Sequence, residues 1–164
     1  MQIRTPFRLL TMALAALLSL SASASEPKPA DRDRTAITLQ LDRYEQALNS
    51  ADIDTVMKLY ADDAVFMPQH ALPAEGRDAI QTAYRHVFDT IDLDIDFSVD
   101  EIVVLSHDWA YARTRSNGTV KVLASDRPPA PEANQELFLL HRETDGQWRF
   151  ARYIFSTTNP PRQP

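Results

Sequence analysis

From Thr35 onward, the apolar residues follow first a helical and then a strand periodicity. Ile37, Leu41, Tyr44, Leu48 and Ala51 recur at steps of four and three, which sets them along one stripe of an amphipathic helix that Ser50-Ala51-Asp52 ends. Asp52 supplies an N-cap for a short second helix with Ile53, Val56, Met57 and Tyr60 on one face, and Asp62-Asp63 breaks and turns the chain. A brief strand over Ala64 to Met67 and a loop over Pro68 to Glu75 are expected next. Gly76 then opens a third helix carrying Ile80, Tyr84, Val87, Phe88 and Ile91.

After Thr90 the period becomes two. Leu93, Ile95, Phe97 and Val99 alternate with polar residues, and Ile102 and Val104 continue in the opposite phase, which predicts a bulge at Asp100-Glu101. In the next strand Trp109, Tyr111, Arg113 and Arg115 share one face and Ala110, Ala112, Thr114 and Ser116 the other. Asn117-Gly118 is a hairpin signal that reads better as a bulge inside one strand reaching Ala124, because the stronger turn, Arg127-Pro128-Pro129-Ala130-Pro131, lies just beyond. Two final strands, Asn134 to Arg142 and Trp148 to Ser156, are joined by Thr144-Asp145-Gly146-Gln147. Helices followed by long strands imply the α+β class: a curved, cone-shaped antiparallel sheet with three helices on its concave side and a hollow between them.

The N-terminal segment adds a location. Arg4 and Arg8 precede an apolar run from Leu9 to Leu20, and Ala22-Ser23-Ala24 forms a small-residue cleavage site, so residues 1–24 read as a secretory signal. The run is too short for the roughly 20 residues a membrane span needs, and the mature chain is expected in the periplasm with no further membrane contact. Residues 25–34 read as a disordered, solvated lead-in, 35–159 as the folded domain and 160–164 as a tail. Fifteen basic residues (17 less Arg4 and Arg8) against 23 acidic ones leave a net charge near −8, the wrong sign for a nucleic-acid surface. With no cysteine, neither a disulfide nor a thiolate metal site can form. His70, His86, His107 and His141 lack metal-ligand spacing, so no metal is expected.

The phrases Leu59-Tyr60-Ala61-Asp62-Asp63-Ala64, Gly76-Arg77-x-Ala79-Ile80, Gly146-x-Trp148 and Arg152-Tyr153-x-Phe155-Ser156 resemble the nuclear transport factor 2-like superfamily, which is also described as cystatin-like. Asn134-Gln135-Glu136-Leu137-Phe138 and Phe155-Ser156-Thr157-Thr158-Asn159-Pro160 look like its bacterial SnoaL-like group, in particular the SgcJ/EcaC-like proteins. The resemblance covers nearly the whole mature chain and implies a pocket that binds a small molecule, a homodimer and no cofactor. In agreement, the chain holds no Gly-rich dinucleotide fingerprint. Ketosteroid isomerases of the superfamily carry hydrogen-bonded tyrosines that match Tyr44, Tyr60 and Tyr84. Their catalytic base falls on Met67 and their oxyanion-binding aspartate on Phe138, so steroid isomerisation is not expected.

Strand alternation adds a candidate site to this. Trp109, Tyr111, Arg113, Arg115, Asn134, Glu136, Phe138, Tyr153 and Phe155 are expected to face the hollow together, with Tyr44, Tyr60, Met67 and Tyr84 lining it. Glu136 and Arg113 would form a buried pair. In one reading they are catalytic, with Glu136 accepting a proton and Arg113 anchoring an acidic ligand; in the other they are an internal ion pair that orders the sheet. His70, at the pocket mouth, is a further candidate proton shuttle. Trp148, Phe150 and Ile154 are expected on the opposite face, where a second copy of the chain would cover them. The chain is thus either a ligand-binding protein with proton-transfer, cyclisation or hydration-type activity, or a non-catalytic module that sequesters a ligand or binds a partner.

Overall fold

The structure, a computed structural model, describes residues 28–160; the expected signal sequence of residues 1–24 lies outside them. Three helices, α1 (Pro29–Asn49), α2 (Ile53–Leu59) and α3 (Gly76–Thr90), pack on one side of a six-stranded sheet. Its strands are β1 (Tyr60–Met67), β2 (Ala74–Glu75), β3 (Ile91–Val104), β4 (Trp109–Val122), β5 (Ala130–Arg142) and β6 (Trp148–Thr157), in the spatial order β2-β1-β6-β5-β4-β3. The α+β class holds. One pair departs from an antiparallel sheet: β1 lies parallel to β6, because α3, between β2 and β3, carries the chain from the β1–β2 edge to the opposite edge, from which the β3–β6 meander returns to β1.

The helix stripes are buried as their spacing requires. Ile37, Leu41, Tyr44 and Leu48 of α1 and Ile80 and Tyr84 of α3 enter the core, where each fully buried aliphatic or aromatic side chain stabilises by about 1.5–3 kcal/mol. Asp52 caps α2, accepting from the Thr55 amide at 3.0 Å and the Thr55 hydroxyl at 2.6 Å. Buried Gln40 donates through Nε2 to the Trp148 carbonyl at 2.7 Å and the Leu59 carbonyl at 3.3 Å, which ties α1 to the end of α2 and to β6.

Several boundaries differ from expectation. α1 begins at Pro29, since proline is tolerated at a helix start and Asp33 of that first stretch is anchored, pairing with Arg142 at 2.6 Å and accepting from Trp148 Nε1 at 3.4 Å. Residues 29–34 are therefore helix rather than a disordered lead-in, though mostly exposed as expected. Asp62 and Asp63 lie inside β1, whose register against β6 shifts between Tyr60 and Val65. Asn117-Gly118 is neither hairpin nor bulge: β4 pairs without a break on both sides there. Gly118 is required by close approach, because a Cβ on it would stand 2.0 Å from the Asp94 carbonyl oxygen.

Two bulges set the faces of the sheet. The one expected in β3 is present, with Asp100 as the extra residue between Val99 and Glu101. The other was not foreseen. Ala151 is extra in β6, where Phe150 pairs with Leu140 and Arg152 with Leu139. The phase reverses at Ala151, so Trp148 and Phe150 face the helices together with Tyr153 and Phe155, and of the residues expected outside only Ile154 is exposed.

Replacing Gly118 by alanine forces β3 and β4 apart. We expect a loss of about 1–3 kcal/mol in chemical denaturation, whereas Asn117→Ala, on the exposed face, stays within about 0.5 kcal/mol.

Candidate functional site

The inner face of the sheet and the two long helices enclose a cavity of about 150 Å³. Its helix side is formed by Tyr44 and Leu48 of α1 and Tyr84 and Val87 of α3, and its sheet side by Leu93, Ile95 and Phe97 of β3, Ser116 of β4, Glu132, Asn134 and Glu136 of β5, Tyr153 and Phe155 of β6 and Phe66 of β1. A larger, shallower depression of about 1240 Å³ shares Val120, Glu132, Asn134 and Phe155 with it and forms its vestibule, where Gln69 and His70 sit.

The walls are aromatic because Tyr44 stands at their centre. It meets Phe150 edge-on at 5.3 Å, Tyr84 at 6.4 Å and Tyr153 at 5.7 Å. Tyr153 stacks on Phe138 at 4.2 Å and on Phe66 at 5.4 Å. The Tyr84 hydroxyl bonds to that of Tyr44 at 2.5 Å and to that of Tyr60 at 2.8 Å. Burial holds all four phenols, Tyr44, Tyr60, Tyr84 and Tyr153, well above the ordinary tyrosine value, so they stay protonated and act as hydrogen-bonding hydroxyls, not as bases.

At the sheet end lies Glu136, buried to 3% exposure and accepting a hydrogen bond from the Thr114 hydroxyl. Burial lifts its carboxyl above the usual glutamate value; the Ser116 and Thr114 hydroxyls oppose the shift and the negative charge of Asp100 adds to it. Asn134, next along the strand face, donates from Nδ2 to Glu132 at 2.9 Å and to Ser116 at 3.4 Å, while its Oδ1 is buried with no partner.

The expected Arg113–Glu136 pair does not form. β4 turns its small residues, Ala110, Ala112, Thr114 and Ser116, toward the crowded concave side, and sends Trp109, Tyr111, Arg113 and Arg115 outward. Arg113 is held by Asp100 at 2.7 Å and Glu101 at 3.0 Å, and Arg115 by Asp100 at 2.9 Å. Both arginines open onto an outer depression of about 340 Å³ that Glu136 also borders. Trp109 packs on His141 at 4.5 Å, and Tyr111 and Met67 line an outer groove with Leu137, Leu139 and Ile154. Phe138 is inside but fully buried beneath Tyr153. Tyr60 is likewise buried and reaches the cavity only through Tyr84. His70 lies in the vestibule, with Gln69 at 2.7 Å. The residues the structure does bring together are thus Tyr44, Tyr84, Asn134, Glu136, Tyr153 and Phe155, joined by Ser116, Thr114 and Glu132, which sequence reasoning passed over. Their only signal was a run of small side chains opposite Glu136. Among the described residues no group of three or more His, Asp or Glu is placed to hold a metal ion.

The sequence profile of the SnoaL-like domain matches residues 41–158. This chain belongs to the SnoaL-like domain family. Among solved structures, the SnoaL-like chain is similar to a ketosteroid isomerase-like protein from Erwinia carotovora atroseptica, with 36% identity over 77% of this chain and 96% of that one and a TM-score of 0.74. A scytalone dehydratase-like protein from Novosphingobium aromaticivorans shares the fold at 20% identity, covering 79% and 87% of the two chains, with a TM-score of 0.70. So does a protein of cystatin-like fold from Caulobacter vibrioides, at 20% identity, 79% and 92% coverage and a TM-score of 0.65. No curated protein matches the chain in sequence. The SnoaL-like fold agrees with the superfamily resemblance read from the sequence.

Two measurements probe this site of the SnoaL-like domain. Tyr84→Phe removes a hydroxyl shared by two neighbours and is expected to cost about 2–3 kcal/mol in urea denaturation, against about 1 kcal/mol for Tyr60→Phe, which removes one bond. For Glu136, the folded carboxyl keeps its proton to a higher pH than the unfolded one, so the stability associated with the protonated form is complete below the unfolded value of 4.5 and is lost as pH rises through the folded value. Unfolding free energies of the wild type and Glu136→Gln, compared between about pH 4 and 8, should therefore diverge with rising pH to the disadvantage of the wild type. A constant difference would mean that Glu136 ionises normally.

Proposed function

We propose that the chain is an exported, small-molecule-binding protein of the SgcJ/EcaC-like branch, working in the periplasm as a homodimer. It takes a small, largely apolar molecule with one polar group into the cavity between α1, α3 and the sheet. One observation carries the reading: an aromatic-walled hollow ends in a buried, unneutralised carboxylate position at Glu136 beside an unpartnered Asn134 Oδ1. A fold stabilised only by packing gains nothing from either group. The signal-like pattern of residues 1–24 supports export. The outer groove, with Leu137 and Ile154 each 45% exposed, supports pairing of two copies.

A buried carboxyl with a raised proton affinity is suited to exchange a proton with a bound ligand, which supports proton-transfer, cyclisation or hydration-type chemistry with Glu136 as the acid or base. A non-catalytic, ligand-sequestering role is the second reading. It is favoured by Met67, which occupies the position of the isomerase base and faces the outer groove, away from the cavity.

The test is capture. The purified mature chain is mixed with periplasmic extract and its bound small molecules are identified by mass spectrometry, alongside Glu136→Gln and Arg113→Met. Bound molecules should fall about tenfold with Glu136→Gln and stay unchanged with Arg113→Met, whose guanidinium lies on the outer face. A chain that retains no small molecule, or retains the same amount in Glu136→Gln, defeats the reading.

A further inference from the structure

We infer that the cavity selects a small organic cation, an aryl- or alkyl-ammonium, over acidic and neutral ligands of the same shape. The inference rests on the small-molecule reading above and names its ligand class.

The charges lining the cavity have one sign. Among the described residues, Glu132 and Glu136 are its only ionisable acid or base side chains apart from the tyrosines, and no Lys, Arg or His lines it. The nearest candidates for a countercharge, Arg113 and Arg115, lie on the other face of the sheet and are held there by Asp100 and Glu101. In the vestibule the single titratable base among the described residues is His70, exposed and bonded to Gln69. An anionic ligand would therefore enter a low-dielectric space that holds two carboxylates and no cation.

The unfilled hydrogen-bonding capacity points the same way. Asn134 is 8% exposed and its Oδ1 has no partner. Its orientation is fixed, because turning the amide over would set Oδ1 rather than Nδ2 against the Glu132 carboxylate. The open position therefore requires a donor from the ligand. Glu136 accepts from Thr114 and has acceptor capacity left, since a carboxylate offers about four lone-pair sites. An ammonium group brings three donors, no acceptor and the charge that the site lacks. The faces of Tyr44, Phe66, Tyr84, Tyr153 and Phe155 add the π-surface that attracts organic cations. A volume of about 150 Å³ admits one benzene-sized ring, with a short arm left to reach Asn134 and the vestibule.

Benzylamine, benzyl alcohol and benzoate share one ring and differ in charge, so isothermal titration of the unmodified mature chain at neutral pH with each of them tests the inference. Benzylamine should bind at least about tenfold more tightly than benzyl alcohol, and benzoate more weakly than either. Glu136→Gln should remove about tenfold of the benzylamine affinity and leave that of benzyl alcohol nearly unchanged. Benzoate or benzyl alcohol binding as tightly as benzylamine overturns cation selection and leaves the small-molecule reading standing; failure of all three to bind overturns both. Unchanged benzylamine affinity in a folded Glu136→Gln also overturns the inference, and if that variant does not fold, the three-ligand series alone decides.

Discussion

A strand that gains one residue forfeits a ladder position and reverses the side to which every later residue points, and in β6 that reversal occurs at Ala151. Without it, Trp148 and Phe150 would face away from the helices whenever Tyr153 and Phe155 faced toward them. With it, all four lie on the concave side, and Phe150 and Tyr153 both reach the Tyr44 ring. The β6 share of the aromatic wall, and its packing against Tyr44, follow from this single insertion. So does the seating of Trp148, whose carbonyl receives the buried Gln40 amide and whose ring lies 4.5 Å from the Arg142 guanidinium.

The bulge in β3 has the complementary effect on charge. Asp100, the extra residue, has its side chain 16% exposed and takes hydrogen bonds from two arginines two positions apart on β4. With Glu101 beside it, the positive charges of β4 are neutralised on the outer face. The cavity is left with Glu132 and Glu136, and among the described residues no Lys, Arg or His lines it to balance them. A buried carboxylate without a countercharge is costly. The fold moderates that cost with the Thr114 and Ser116 hydroxyls and with a proton held more tightly than usual.

Much of this architecture can be read in the sequence because it depends on period. The stripes of α1 and α3, the Asp52 cap, the β3 bulge and the long strands follow from spacings of 3.6 and 2. The site is harder to read, because alternation says which residues share a face but not which face is inner. In β4 both faces are plausible: one is Trp, Tyr, Arg, Arg and the other Ala, Ala, Thr, Ser. Large aromatics suggest a core, yet the concave side is already filled by Phe138, Tyr153 and Tyr44 and admits only small side chains opposite them. Asn134, Glu136 and Phe155 could be placed because β5 carries Phe138 and Leu140 in phase with them. The Ala151 bulge has no such marker, since a small residue between Phe150 and Arg152 reads equally well as regular strand.

The two ends of the cavity differ in what they ask of a ligand. On the helix side, the hydroxyls of Tyr44, Tyr60 and Tyr84 are joined by two hydrogen bonds, and the Tyr153 hydroxyl adjoins that of Tyr44, so these groups are engaged with one another. On the sheet side the unfilled groups are acceptors, Asn134 Oδ1 and the Glu136 carboxylate. A bound molecule is therefore seated by the aromatic rings of the helix side and read by the acceptors of the sheet side, so its polar group must donate and must stand at the end of the ring nearest β5.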